Sequence, residues 1–78
     1  MQKKNIENLL MDGVRSHQEK RFAEAEQCYQ EILDIEEDHP HANHNMGVLN
    51  FNLGKVEQSI PFLLKAFNVN DKIDQFWL

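Results

Sequence analysis

A spacing of 34 residues constrains this chain more than any other feature of its sequence. Gly13 and Gly47 lie 34 residues apart, and the residues around one align with those around the other without a gap. Tyr29 then falls on Leu63, and residue size and polarity recur elsewhere although few residues are identical. A fixed period of this length indicates one structural unit used twice.

Apolar residues recur at helical spacing in four segments that polar breaks separate. We expect an acidic run at residues 36–38 to end the second helix, because its charges oppose the helix dipole. Pro40 is suited to open the third helix and Gly54 to follow its end. A polar exit at Asn68–Asp71 is expected to follow the fourth. The predicted helices cover residues 6–18, 22–36, 40–53 and 56–69, and their short connections favour antiparallel neighbours.

The composition of the chain argues against some classes of partner and indicates the compartment in which the protein works. The 78 residues include 13 acidic and 8 basic ones, for a net charge of -5, which argues against nucleic acid and anionic membranes as partners. No apolar run approaches the ~20 residues of a membrane span. Cys28 is the only cysteine, so no disulfide forms within one chain. A reducing compartment, the cytoplasm, is therefore predicted.

Two helix–turn–helix units with this period resemble the tetratricopeptide repeat family. The resemblance implies an all-α fold, a right-handed α-solenoid of antiparallel helix pairs. Small residues such as Gly13 and Ala25 are then expected where helix axes approach within ~8–10 Å. The residues that carry the resemblance are Gly13, Ala25, Tyr29, Ile32 and Ile35 in the first unit, and Met46, Gly47, Gly54, Ser59, Leu63, Ala66 and Val69 in the second.

The repeat offset divides the chain into units. Residues 1–5 form a leader, 6–39 the first repeat, 40–73 the second, and 74–78 the start of a third. Trp77 falls on the position where the family has a large aromatic residue in its first helix. The chain is therefore expected to be the amino-terminal part of a longer protein.

Some positions depart from the family pattern. Leu9 and Asn43 stand where the family usually has an aromatic residue, and Glu37 and Asp71 replace the proline between repeats. The alternative to a solenoid is a plain four-helix bundle whose pattern matches the period by chance.

The resemblance also implies a binding surface, because the first helices of each pair line the concave groove in this family. Its mixed apolar and polar character suits an extended or helical peptide with a few apolar anchors. The alternative is that Leu10, Met11 and Val48 pack between helices. The groove positions are Glu7, Leu10, Met11, Val14, His17 and Gln18 in the first repeat, and His41, His44, Asn45, Val48, Phe51 and Asn52 in the second.

Some family members hold a peptide's terminal carboxylate with a lysine and asparagines on the first helices. Asn45 falls on one of these asparagine positions, but Leu10 and Val14 occupy those of the lysine and the other asparagine. A carboxylate clamp is therefore not expected.

No residue pattern in the chain indicates catalysis. His41 and His44 are three residues apart and would share a helix face, but no firm set of further metal ligands is nearby. Cys28 has acidic neighbours, which do not favour a reactive thiolate. Phosphate loops and hydrolase motifs are absent from the sequence. We therefore expect no enzyme activity, cofactor or metal site.

The function predicted from the resemblance is a scaffold that binds a protein or peptide in the groove. The alternative is a substrate-orienting or oligomerising module fused to a bacterial transferase domain beyond residue 78. The last helix carries apolar residues on more than one face, which also predicts a homodimer through the surface around Phe62, Phe67 and Trp77.

Overall fold

The computed structural model describes residues 5–74, and the side chains of residues 5–67. The described part contains four helices and no strand. The first three predicted helices are confirmed to within one residue at each end. The helices are α1 (Ile6–Gln18), α2 (Phe22–Ile35), α3 (Pro40–Asn52) and α4 (Val56–Asp74).

The polar exit predicted at Asn68–Asp71 is wrong, because α4 continues through these residues to Asp74. Neither proline nor glycine occurs between residues 62 and 74. Asparagine and aspartate each cost at most about 0.7 kcal/mol in a helix, too little to end one. Asp74, the predicted first residue of a third repeat, lies in α4, and Trp77 lies outside the described residues.

The helices pack in chain order, α1 on α2, α2 on α3 and α3 on α4, and α1 also touches α3. Within the described residues, no Cα atom of α1 lies within 8 Å of a Cα atom of α4. A closed four-helix bundle would bring these two helices together. The arrangement is therefore an open stack of two helix pairs, as a helical repeat requires, and the bundle alternative is wrong.

Both helix pairs turn in the same way. The amides of Arg21 and Lys55 donate to the carbonyls of Ser16 and Asn50 at 2.8 Å, five residues back in each repeat. The residues just before these amides, Lys20 and Gly54, have φ of 65° and 80°. This is the Schellman ending of a helix, which needs a left-handed residue after the last turn. Glycine adopts that conformation without strain, whereas lysine does not.

Lys20→Gly is therefore expected to raise the free energy of unfolding by about 1 kcal/mol, because it removes the strain of a side chain at positive φ. The reciprocal change Gly54→Lys should lower it by a similar amount. Urea unfolding followed by circular dichroism measures both. Equal stability of the Lys20→Gly variant and the parent would contradict this account of the turn.

One core runs through both helix pairs. Its centre is the fully buried ring of Tyr29, which lies against Gly13 of α1. A Cβ atom on Gly13 would lie 2.6 Å from Cε1 of Tyr29, and one on Gly47 would lie 2.6 Å from Cγ of Leu63. The predicted close approach at Gly13 is confirmed, and Gly47 makes the equivalent contact in the second repeat. The buried apolar residues of this core are Leu9, Ala25, Tyr29, Ile32, Leu33, Ala42, Met46 and Leu49.

The outer face of α1 differs in polarity from the equivalent face of α3. The outer face of α1 is polar, and Arg15 donates to Asp12 at 3.0 Å there. The same positions in α3, Met46 and Leu49, are buried, because α3 lies between α2 and α4.

Among the described residues, no helix is long and apolar enough to cross a membrane.

Candidate protein-binding surface

Helices α1 and α3 carry the residues predicted to line the groove. We use the name α1–α3 surface for the part formed by Leu10, Met11, Val14, His17, Asn45, Val48, Phe51 and Asn52. The two helices meet near their carboxyl ends, where Nδ2 of Asn52 donates to Nε2 of His17 at 2.9 Å. This hydrogen bond joins the two repeats across 35 residues of sequence. It brings two of the predicted site residues into direct contact.

The apolar residues of the α1–α3 surface fall into two groups. Met11 and Phe51 are exposed, by 63% and 59%. Leu10, Val14 and Val48 are half-buried, and Leu10 packs against the core. Leu10 is therefore partly packed between helices, as the alternative predicted, whereas Met11 is not.

His17 is held by the core as well as by Asn52. Its Nδ1 lies 3.4 Å from the hydroxyl oxygen of Tyr29, and its ring meets that of Phe22 edge-on, with centroids 5.8 Å apart. The imidazole is half-buried as a result. These contacts hold His17 in place. The exposed apolar residues of the α1–α3 surface are therefore Met11 and Phe51.

His41 and His44 are exposed at the start of α3. They line a cavity with Leu63, Ala66 and Phe67, and so face the α3–α4 side of the molecule. Nδ1 of His44 lies 3.4 Å from Oδ1 of Asn45, which the structure places beside it. The predicted groove residues therefore divide between the α1–α3 surface and this second cavity.

His39, next to this pair, has a structural role. Its Nδ1 accepts a hydrogen bond from the amide of Ala42 at 3.1 Å and so caps α3. Within the described residues, no three histidine, cysteine or acidic side chains are grouped closely enough to hold a metal ion.

Asn43 is a structural residue whose role the sequence did not indicate. Its side chain is buried, and its amide donates to the carbonyls of Glu37 and His39 at 3.1 and 3.0 Å. It thereby fixes the connection between the two repeats.

Burial raises the pKa of Tyr29 from 10.0 to about 12, with a smaller contribution from the neighbouring Cys28. Because this pKa is higher in the folded protein, the unfolded chain loses the phenolic proton first. The contribution of Tyr29 to the free energy of unfolding is intact below pH 10 and falls as the pH rises towards 12.

The expected loss from Tyr29 is about 1.4 kcal/mol by pH 11, one pKa unit above the unfolded value. Urea unfolding of the parent and of Tyr29→Phe, from about pH 9 to 11, measures it. The phenylalanine variant cannot ionise there and should lose less stability. Equal losses in the two proteins would contradict the raised pKa.

Four helices in consecutive antiparallel pairs, with the same turn and the same glycine contact in each pair, define a helical-repeat protein. A family model described as tetratricopeptide repeat matches residues 16–39 and 40–73. The chain belongs to the tetratricopeptide repeat family, whose repeats mediate protein–protein interaction or scaffolding and are typically not catalytic. Searches of curated proteins and of solved structures gave no match.

Proposed function

We propose that this chain is a non-enzymatic scaffold that binds a peptide segment of a partner protein on the α1–α3 surface. The observation that carries the proposal is the exposure of Met11 and Phe51 on the two first helices. Large apolar side chains on a polar surface are typical of protein contact sites. The single cysteine of the chain supports the cytoplasm as its compartment.

The polar residues of the surface suit a peptide backbone. Asn45 and Asn52 each carry a carbonyl oxygen and an amide, which can accept and donate hydrogen bonds. The twelve positions of the predicted groove include no lysine or arginine. The expected partner segment therefore contributes apolar side chains and peptide groups, and its terminal carboxylate is not the anchor.

The test is capture of partner proteins by the parent and by the double variant Met11→Asp/Phe51→Asp. Both residues are exposed, so a charge there should leave the core intact, whereas a charge at the half-buried Val48 would also destabilise it. Ile35→Asp is the control, since Ile35 is similarly exposed but lies on α2. Partners lost by the double variant and kept by the control support the proposal. Unchanged capture by a folded double variant contradicts it.

Oligomerisation is the second candidate function, whether or not a transferase domain follows residue 78. Val56, Ile60, Leu64 and Phe67 form a stripe along α4, and each is 49–60% exposed. Phe62, predicted to belong to this surface, is half-buried and packs against the core instead. The stripe supports a contact between two α4 helices, because the polar outer face of α1 is a poor match for it.

Light scattering at high micromolar concentration tests the second candidate. We expect a dimer for the parent and a monomer for the double variant Ile60→Lys/Phe67→Lys. The Met11→Asp/Phe51→Asp variant serves as the control and should remain dimeric. A monomeric parent at this concentration would argue against the dimer.

A further inference from the structure

A cleft lies between the second helices of the two pairs. α2 and α4 both pack on α3, yet within the described residues they share no Cα pair within 8 Å. The space between them, which we call the α2–α4 cleft, has its walls on these two helices and Asn43 of α3 at its floor. This cleft shares no residue with the α1–α3 surface.

Apart from Lys65, the α4 side of the cleft is apolar. Phe62 is half-buried against the core, and Pro61 and Leu64 stand beside it. The side chain of Leu64 is 55% exposed. Leu33 of α2, which is buried, completes the apolar lining. An apolar side chain of a partner would find contacts on both helices here.

The α2 side of the cleft is acidic. Residues 22–35 include four carboxylates and no lysine or arginine, and residues 36–38 add three more carboxylates. Asp34 and Glu37 lie at the cleft itself. The negative potential at the cleft therefore comes mainly from Asp34 and the carboxylates of residues 36–38, because charges beyond about one Debye length, roughly 8–10 Å, are largely screened.

The basic group at the cleft does not balance this charge. Nζ of Lys65 lies 3.3 Å from a carboxylate oxygen of Glu37 and 3.6 Å from one of Asp38. Asp34 accepts a hydrogen bond from the amide of Gln30 at 3.1 Å. In the described part of the chain, Asp34 makes no ion pair, so its charge is available to a partner.

We propose that the α2–α4 cleft binds a partner protein segment in which an apolar side chain is flanked by lysine or arginine. The apolar side chain would lie against Phe62 and Leu64, and a basic group would meet Asp34, the carboxylate of the cleft that Lys65 does not pair with. Complementary charge of this kind accelerates association and selects among partners. The site is on the opposite helices of each pair from the α1–α3 surface, so one chain can hold two different partners.

Other occupants fit this charge less well. Nucleic acid would bring phosphates against the carboxylates of α2. A second copy of this chain carries 13 acidic residues against 8 basic ones and so offers the acidic side of the cleft little complementary charge.

The probe is a fluorescein-labelled amphipathic peptide with leucines along one face and lysines along the other. A second peptide, in which glutamate replaces every lysine, is the comparison. Fluorescence anisotropy measures the affinity of each, and chemical-shift changes in the labelled protein locate the contact. We expect the lysine peptide to bind about tenfold or more tightly than the glutamate peptide, with shifts on α2 and α4.

Two matched pairs of variants separate the cleft from general attraction to an acidic protein. Asp34→Lys should weaken binding of the lysine peptide about tenfold, whereas Glu26→Lys, the same charge change elsewhere on α2, should have little effect. Leu64→Ser should weaken binding, whereas Ile60→Ser, which changes an equally exposed residue outside the cleft, should not. Circular dichroism checks that each variant is folded.

Equal effects within either pair of folded variants would overturn the proposal, and so would equal binding of the two peptides. Shift changes confined to α1 and α3 would also overturn it. Met11 and Phe51 lie outside the cleft, so the cleft can fail while the α1–α3 proposal stands, and shift changes confined to α1 and α3 would support that proposal.

Discussion

Tyr29→Ala is expected to lower the free energy of unfolding by about 3–5 kcal/mol, the usual cost of removing a large buried aromatic side chain. Tyr29 has no exposed surface and lies at the centre of the core against Gly13. A domain of this size has a stability of only about 4–12 kcal/mol. The expected loss is therefore a large share of the total stability, and urea unfolding followed by circular dichroism would measure it.

Tyr29→Phe is the matched control for this prediction. It keeps the ring and removes only the hydroxyl, whose distance of 3.4 Å from Nδ1 of His17 indicates a weak contact. The loss should be less than about 1 kcal/mol. Tyr29→Leu introduces the residue that the second repeat uses at this position and should lie between the two. A loss below about 1 kcal/mol in Tyr29→Ala would contradict the position of Tyr29 in the core.

Gly13→Leu is expected to lower the free energy of unfolding by about 2–3 kcal/mol, because the added side chain overpacks the contact between α1 and α2. The first added atom alone would lie 2.6 Å from Cε1 and 2.9 Å from Cδ1 of Tyr29. The ring is rigid and fully buried, so it cannot move aside without displacing the core. The better helix propensity of leucine offsets about 0.8 kcal/mol of the loss.

Ala23→Leu is the control, since Ala23 is exposed on α2 and a longer side chain there meets no core. Gly47→Leu gives a second comparison. Its first added atom meets Leu63, which is half-buried and can change rotamer, so the loss should be smaller than at Gly13. Denaturant midpoints measure all three variants. If Gly13→Leu is as stable as Ala23→Leu, the packing of α1 on α2 described above is wrong.

The prediction of the helices from the sequence succeeded where local signals were strong. Pro40 at the start of α3 and Gly54 after its end mark boundaries that the structure confirms. It failed at the end of α4, where polar residues at 68–71 carry no proline or glycine to stop the helix. Polar composition alone does not predict a helix end, because polar side chains are compatible with an exposed helix.

The candidate sites were less accessible to sequence reasoning. Repeat offset placed Met11 and Phe51 on first helices, but only the packed structure shows that they are exposed while Leu10 packs against the core. The α2–α4 cleft was not predicted at all. Its acidic side is visible in the sequence, but its apolar side depends on how α4 packs against α3, which no local pattern specifies.

Helical spacing, caps and a 34-residue repeat are local properties of the chain, so the sequence is enough to predict the family, the period and all helix boundaries except the end of α4. Three features are known only from the packed structure: Lys20 has positive φ, Asn43 is buried, and the stripe on α4 is exposed. Each of these three features depends on which helices pack against each other. The packing of α3 between α2 and α4 buries its apolar residues on two sides, whereas the apolar stripe of α4 has no described helix against it.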